Sequence, residues 1–136
     1  MIEQWTRETN GQGLYEITDE VHRQVERADI VEGLCTVYIR HTSASLVIQE
    51  NAAPSARRDL ENWLNRLVEE DDPLYTHTAE GPDDMPAHIK GALTQTSLGI
   101  PIVDKSLVLG TWQGIFLWEH RTAPKRRELV VHVAGA

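Results

Sequence analysis

GLCTVYIRHTSASLVIQEN, residues 33–51, decides the fold. Its first half alternates between two faces, and Cys35, Val37 and Ile39 share the apolar face, which is typical of a strand with one buried side. The small polar residues of HTSAS, at positions 41–45, interrupt this alternation before it resumes. The stretch therefore predicts two strand segments separated by a bend or bulge.

Three helices are predicted around this stretch. The first begins at Thr18, a residue type that caps helices, and the second begins at Pro54, which suits a first helical turn. The third is MPAHIKGALTQT, residues 85–96, and it follows DDPLYTHTAEGPDDM, residues 71–85. That segment has no periodicity and predicts a long loop, and loops of this length are often functional. The apolar stripe predicted for the second helix consists of Ala56, Leu60, Trp63, Leu64, Leu67 and Val68.

The other parts of the chain have strand patterns. The candidates are residues 14–17, 100–103, 106–109, 114–119 and 128–133. Strands spaced this closely favour antiparallel pairing, because a parallel crossover needs a dozen or more residues. We expect an α+β fold in which an antiparallel sheet assembly carries its helices on one side. A length of 136 residues is typical of one domain, so we expect a single domain over residues 1–136.

Composition and charge argue against several classes of function. The formal net charge of −8 argues against a nucleic-acid-binding protein, which usually presents a basic face to phosphates. No stretch approaches the ~18–20 apolar residues of a membrane span, so we expect no membrane partner. Cys35 is the only cysteine, which excludes an internal disulfide and a cysteine-rich zinc site and makes the cytoplasm the expected compartment.

Histidines provide the first candidate site. His41 ends a strand and precedes three hydroxyl residues, one of which can orient it. His77 and His88 flank the long loop. The carboxylates between these two histidines are Glu80, Asp83 and Asp84. Imidazole and carboxylate groups form the ligand set of zinc and related divalent ions, but the spacing matches no local metal motif. Surface histidines in a polar loop explain the pair equally well.

A second group of candidates follows the apolar strand at residues 114–119. Glu119 and Arg121 place a carboxylate and a guanidinium where this strand ends. They can form an edge ion pair, or Arg121 can present its planar fork to a phosphate. Lys90 lies two residues after His88 and could hold phosphate oxygens at the same site. The chain contains no Walker loop, GxGxxG, GxSxG or CxxC motif.

Four blocks of sequence together resemble a known family. They are HTSASL (41–46), Glu50-Asn51-x-x-Pro54, YTHTAEGPDDMPAHIK (75–90) and LGTWQGIFLWEHR (109–121). They are similar to the YjbQ-like family, whose members are commonly described as secondary thiamine-phosphate synthases. The resemblance implies a compact α+β domain of two layered, β-sandwich-like antiparallel sheets with two to three helices, assembled as a homotrimer.

The residue patterns and the resemblance together give a set of candidate site residues, and the resemblance maps the motif histidines of the family onto His41, His77 and His88. The catalytic candidates are His41, Ser43, Asp84, Glu119 and Arg121. The candidates for binding a substrate or phosphate are Asn51, Lys90, Gln113 and Arg121. The candidate metal ligands are His41, His77 and His88, which we expect to converge on one site. Ala53 stands where relatives often have an aspartate, so any support from that aspartate is missing or shifted in this chain.

The reaction implied by the resemblance joins a hydroxymethyl-pyrimidine diphosphate to a thiazole phosphate. Diphosphate leaves in this reaction, and a divalent ion or basic groups must stabilise it. A histidine-rich site suits zinc or another transition metal better than magnesium, which prefers oxygen ligands. We therefore expect synthase activity to be secondary. The alternatives are a metal-assisted hydrolase of unknown substrate and a non-catalytic trimeric module that binds a metal or a small anionic metabolite.

Overall fold

Eight strands and three helices make up the computed structural model, which describes residues 1–136. In chain order the elements are β1 (Ile2–Asn10), β2 (Gly13–Glu16), α1 (Thr18–Ala28), β3 (Glu32–Ile39), β4 (Ala44–Glu50), α2 (Pro54–Leu67), α3 (Asp84–Leu93), β5 (Ser97–Val103), β6 (Ser106–Leu107), β7 (Gln113–Glu119) and β8 (Pro124–Gly135).

The strands form two antiparallel sheets. The larger has the order β1-β8-β3-β5-β6, and the smaller has the order β2-β7-β4. The predicted break in residues 33–51 is confirmed, and it is where the chain leaves the larger sheet through β3 and enters the smaller sheet through β4. The predicted α+β class with two layered antiparallel sheets is therefore confirmed.

The side chains of β7 alternate between two apolar layers. Ile115 and Leu117 point between the two sheets, into a 16-residue core that α1 also enters. Phe116 and Trp118 point to the opposite side, where they pack with Leu64 of α2. Both faces of β7 are thus covered, which explains the continuous apolar run GIFLW in this strand.

The apolar stripe predicted for α2 is only partly buried. Leu64 and Val68 are buried, but Trp63 is 54% exposed and Leu67 is 55% exposed. The predicted stripe thus lies on one side of α2, and only part of it faces the core. The buried part of the stripe packs with Leu14, Phe116 and Trp118 of the smaller sheet.

Sequence patterns missed β1 entirely and placed several ends wrongly. β1 is an edge strand whose residues are mostly charged or polar, so it carries little apolar periodicity. β8 begins four residues earlier than the predicted residue 128, at Pro124. The third helix ends at Leu93 rather than at residue 96. None of the helices is long and apolar enough to cross a membrane.

Candidate functional site

The bend between β3 and β4, the end of β7 and helix α3 meet at one end of the molecule. Ala44 pairs with Glu119 in the antiparallel register of β4 and β7, which brings HTSAS beside the end of β7. Helix α3 packs directly against the bend, since a Cβ added at Gly91 would lie 2.8 Å from the carbonyl oxygen of Thr42. This close approach places His88 beside the residues that follow His41.

His77, Asp84 and His88 form the one group of potential metal ligands at this end. Nε2 of His77 lies 2.8 Å from Oδ2 of Asp84, and Nε2 of His88 lies 3.3 Å from the same oxygen. The ligand atoms of the three residues all lie within 4.8 Å of one another. His88 and Asp84 are one helical turn apart in α3, and His77 reaches them from the long loop. We call these three residues the His–Asp–His cluster.

Arg121 holds the Asp84 carboxylate in place. Its Nη1 donates to Oδ1 of Asp84 at 2.7 Å, which leaves Oδ2 facing the two imidazoles. Its Nε donates to Asp83 at 2.9 Å, and its Nη2 donates to the carbonyl oxygen of Glu80. All three guanidinium nitrogens are thus used within the chain. The prediction that Arg121 offers its fork to a phosphate is corrected, because the fork is directed at Asp83, Asp84 and this carbonyl, which use three of its five N–H donors.

The Asp84 carboxyl group is kept ionised by its neighbours. Burial acts to raise its pKa, but the hydrogen bond with His77 and the charges of Arg121 and His88 help to bring the pKa of Asp84 below its usual range. An ionised carboxylate flanked by two imidazoles has the donor set of a catalytic zinc site. Bonds of ~2.0–2.1 Å in tetrahedral geometry separate neighbouring ligand atoms by about 3.3 Å, close to the distances of 2.8 and 3.3 Å from Oδ2 of Asp84 to the two imidazoles.

His41 lies beside this cluster but takes part in other contacts. Its Nε2 accepts a hydrogen bond from the backbone N–H of Glu128 at 2.7 Å, and its Nδ1 faces the guanidinium of Arg127. Burial and the charge of Arg127 lower the pKa of His41. Within this chain, the expectation of three converging histidines is therefore corrected to two histidines and Asp84. His41 and His88 instead line the same cleft, which has a volume of about 310 Å³.

A buried ion pair between Glu119 and Arg127 organises the neighbouring residues. Two nitrogens of Arg127 donate to the two carboxylate oxygens of Glu119, and Thr9 donates to one of those oxygens at 2.6 Å. Arg127 also donates to the hydroxyl and carbonyl oxygens of Ser43. The candidates Glu119, Ser43 and His41 are thus brought together. Because its oxygens already accept these bonds and two backbone N–H bonds, Glu119 holds the site together and is not free to act as a base.

Sequence analysis did not single out Arg127, although a signal for it exists. In β8 it shares the inward face with Leu129, Val131 and Val133, and all four side chains are buried. The buried positions of β8 alternate, and extending this alternation from Leu129 back to residue 127 places an arginine at a core position. A buried arginine needs a buried partner, and Glu119 at the end of an apolar strand is the natural one.

Three other predicted residues lie away from the His–Asp–His cluster. Gln113 pairs with Glu50 at the opposite end of the smaller sheet, and its side chain caps the backbone N–H of Gly110. Asn51 lies at the same far end and donates to Glu16. Lys90 is buried on the other side of α3 from His88 and donates to Asn65. The structure does not bring these three into a common site with the cluster.

His120 is buried to 1% exposure and hydrogen-bonds Ser45 through Nε2 at 2.8 Å. Burial, with Lys90 and Arg127 nearby, lowers its pKa to about 3. As the pH falls below ~6.5, His120 takes up a proton in the unfolded chain but not in the folded protein. The free energy of unfolding therefore decreases as the pH decreases. We expect a loss of ~1.4 kcal/mol per pH unit from this residue until the pH approaches its folded pKa.

Urea unfolding of the protein and of His120→Gln at about pH 7 and about pH 4.5 checks this expectation. The variant should show a smaller loss of unfolding free energy between the two pH values. His22→Gln is the matched control, because His22 lies on the surface of α1 in contact with Glu26. Equal pH dependence in the protein and in His120→Gln would contradict a neutral, buried imidazole.

Arg121→Lys tests whether Arg121 positions Asp84. One ammonium cannot replace three guanidinium nitrogens that contact Asp83, Asp84 and a carbonyl oxygen. We expect zinc affinity to fall about 10-fold or more, as is common when the group that orients a metal ligand is changed. Calorimetric zinc titration measures this, with Arg58→Lys on the exposed side of α2 as control. Unchanged affinity in Arg121→Lys would mean that Asp84 keeps its orientation without the fork.

Several known proteins are similar to this chain over most of its length. A family model described as UPF0047 protein YjbQ-like matches residues 3–136. UPF0047 protein sll1880 of Synechocystis is 54% identical over 127 residues, covering 93% of this chain and 86% of that protein. UPF0047 protein YjbQ of Escherichia coli O157:H7 is 39% identical over 131 residues, covering 96% of this chain and 94% of that protein.

Solved structures agree with these sequence matches. A YjbQ/UPF0047 family protein of Clostridium acetobutylicum superposes with a TM-score of 0.89 at 32% identity, covering 97% of this chain and 99% of that one. A conserved hypothetical protein of Thermus thermophilus gives a TM-score of 0.86 at 30% identity with the same coverage. The resemblance predicted from the four sequence blocks is confirmed, and the chain belongs to the UPF0047, YjbQ-like family.

Proposed function

We propose that the His–Asp–His cluster binds a divalent transition metal, with zinc favoured, and that the protein uses it on a small anionic metabolite. The observation that carries this proposal is the placement of Oδ2 of Asp84 between Nε2 of His77 and Nε2 of His88. Two imidazoles and one carboxylate suit zinc better than magnesium, which prefers an all-oxygen environment. Three protein ligands leave a coordination position for water or substrate, as in catalytic zinc sites.

The cleft beside the cluster supports the binding of a small molecule. His88 belongs to both the cluster and the cleft, and Thr42, Thr96 and His41 add polar groups to its lining. A volume of about 310 Å³ is at the small end of the range for ligand pockets. A bound divalent cation supplies the Lewis acid that polarises a phosphoryl or carbonyl oxygen. It would also supply the positive charge for an anion, since Arg121 is occupied by Asp83 and Asp84.

Two reactions fit such a site. One is metal-assisted hydrolysis, in which the cation lowers the pKa of a bound water. The other is the thiamine-phosphate coupling implied by the family resemblance, in which the cation and the neighbouring polar groups stabilise the departing diphosphate. We favour hydrolysis because no arginine or lysine at the cleft is free to hold a diphosphate. A module that binds without catalysis is the remaining alternative.

Metal analysis combined with two assays tests the proposal. The purified protein is analysed for bound metal, and then incubated either with the pyrimidine diphosphate and thiazole phosphate pair or with a panel of phosphate monoesters. We expect zinc or another transition metal at about one ion per chain, and turnover that Asp84→Asn abolishes and Asp59→Asn retains. Asp59 is an exposed aspartate of α2 and serves as the matched control. Metal bound without turnover in either assay would favour the binding module, and no bound metal would contradict the proposal.

We also propose that the protein is a homotrimer. The outer face of the larger sheet is not covered by any helix, and Leu34, Tyr38 and Val103 on it are between 46% and 49% exposed. Large apolar side chains exposed on an uncovered sheet face support an interface between subunits. On its net charge and its lone buried thiol, we further propose a cytoplasmic protein without nucleic-acid or membrane partners.

Sedimentation equilibrium checks the trimer. We expect three times the 15.4 kDa mass of one chain, and a lower mass for Tyr38→Lys because a charge would be buried at the interface. Leu74→Lys is the control, since Leu74 is 85% exposed and lies in the long loop, away from the sheet face. A mass of one chain for the unaltered protein would contradict the proposal.

A further inference from the structure

A second polar cavity lies across α3 from the His–Asp–His cluster. It has a volume of about 120 Å³, room for several waters, and lies between α2, α3 and the end of β7. Residues 88 and 90 point to opposite sides of a helix, because each residue turns by about 100°. None of the residues that line this cavity lines the cleft at His41. The charged and imidazole side chains that line the cavity are Glu61, Lys90, Glu119 and His120, and Glu119 is already paired with Arg127.

Lys90 is a buried cation without an acidic partner. It is 3% exposed, and its only hydrogen bond is to the amide oxygen of Asn65. An ammonium group has three donors, so two N–H bonds remain without an acceptor in the protein. Asp83 and Glu70 act on Lys90 only at longer range, beyond ion-pair distance. Buried charges in proteins are normally paired, so Lys90 points to an anionic ligand in the cavity.

His120 provides a second unpartnered polar atom at the same cavity. Its Nε2 is hydrogen-bonded to Ser45, whereas its Nδ1 has no hydrogen-bond partner in the protein. The residue as a whole is only 1% exposed, and the cavity is among the spaces that its imidazole lines. Two buried polar groups, Lys90 and His120, therefore face one cavity with unused hydrogen-bonding capacity.

Glu61 limits the charge of what can bind. Its Oε1 accepts from the backbone N–H of Leu14 at 2.9 Å, while Oε2 makes no hydrogen bond. A phosphate dianion would be repelled by this carboxylate, which lines the same small cavity. A monocarboxylate that also carries a hydroxyl group is complementary to both Lys90 and Glu61. Its carboxylate can accept from Lys90, and its hydroxyl can donate to Glu61.

We propose that this cavity binds a small 2-hydroxy carboxylate of two or three carbons. The carboxylate accepts from Lys90 and the Asn65 amide, and the hydroxyl donates to Glu61. The proposal goes beyond the proposed metal site and does not depend on it, since the two sites share no residue.

Calorimetric titration with glycolate, acetate and inorganic phosphate at constant ionic strength tests the proposal. We expect saturable glycolate binding, weaker acetate binding because acetate lacks the hydroxyl donor, and the weakest binding for phosphate. Lys90→Met should lower glycolate affinity by more than tenfold, since a charged hydrogen bond is lost. Glu61→Gln should reduce the preference for glycolate over acetate. Lys105→Met is the matched control, because Lys105 is exposed and pairs with Asp29 far from the cavity.

Three results would overturn the proposal. The first is the absence of saturable glycolate binding up to ~10 mM, which corresponds to an affinity too weak to be specific. The second is equal glycolate affinity in Lys90→Met and the unaltered protein. The third is loss of binding in Asp84→Asn but not in Lys90→Met, which would place the ligand at the His–Asp–His cluster instead. Thermal unfolding of each variant without ligand confirms that it is folded before titration.

Discussion

Asp84→Asn is expected to lower zinc affinity by well over tenfold while the fold survives. Asparagine has nearly the same shape as aspartate but no charge, and a neutral amide is a far weaker zinc ligand than a carboxylate. The substitution also removes the acceptor that Arg121 and the two imidazoles share. Competition of the protein with a zinc-binding dye measures the affinity, and Asp59→Asn provides the control for loss of an acidic charge.

Histidine variants separate the cluster from its neighbour. His77→Ala and His88→Ala should lose as much zinc affinity as Asp84→Asn, because each removes one of the three ligands. His41→Ala should keep most of it, because Nε2 of His41 is bound to the backbone of Glu128. Equal losses in all three histidine variants would mean that His41 is a ligand after all, either by rearrangement or from a neighbouring subunit.

Glu119→Gln is expected to destabilise the protein by ~3–5 kcal/mol, the usual cost of leaving one member of a buried ion pair uncompensated. Arg127 is buried and directs its donors to Glu119 and Ser43, so it cannot turn to solvent when the carboxylate is lost. Urea unfolding measures the change. Glu128→Gln is the control, since its pair with Arg40 lies at 3.4 Å on the surface and should contribute no more than ~1 kcal/mol.

A double variant separates charge from packing. Replacing Glu119 with Leu and Arg127 with Met removes both charges at once and should recover part of the stability lost in Glu119→Gln. Full recovery is not expected, because Ser43 and His41 also lose their contacts with Arg127. A loss in Glu119→Gln as small as that in Glu128→Gln would show that the buried pair contributes little.

Sequence patterns predicted the strands and helices whose own residues carry a clear apolar periodicity. The break at HTSAS was found because small polar residues interrupt an apolar alternation, and α2 was found because Pro54 precedes a clear stripe. β1 was missed because its strand character comes from pairing with β8, which a local window does not contain. The exposure of Trp63 was missed for a similar reason, since burial depends on what packs against the helix and a local window does not contain that partner.

The candidate site was predictable in type but not in detail. His77, His88 and the acids of the loop are close in sequence, so their clustering followed from composition. The third member of the cluster is Asp84 rather than His41. At the bend formed by HTSAS, Nε2 of His41 already accepts a hydrogen bond from the backbone N–H of Glu128. Lys90 faces away from the cluster because helical rotation separates it from His88, a consequence of geometry that spacing alone could have shown.

Strand order also governs when this protein can fold as it leaves the ribosome. The last two strands in chain order are interior ones, since β7 lies between β2 and β4 and β8 lies between β1 and β3. β1 pairs only with β8, from Ile2 opposite His132 to Asn10 opposite Pro124. At ~5–20 residues per second, the first strand waits roughly 6–25 s for its partner to be synthesised. The nascent chain therefore stays open until translation of β8, and the polar character of β1 helps it remain in water during that delay.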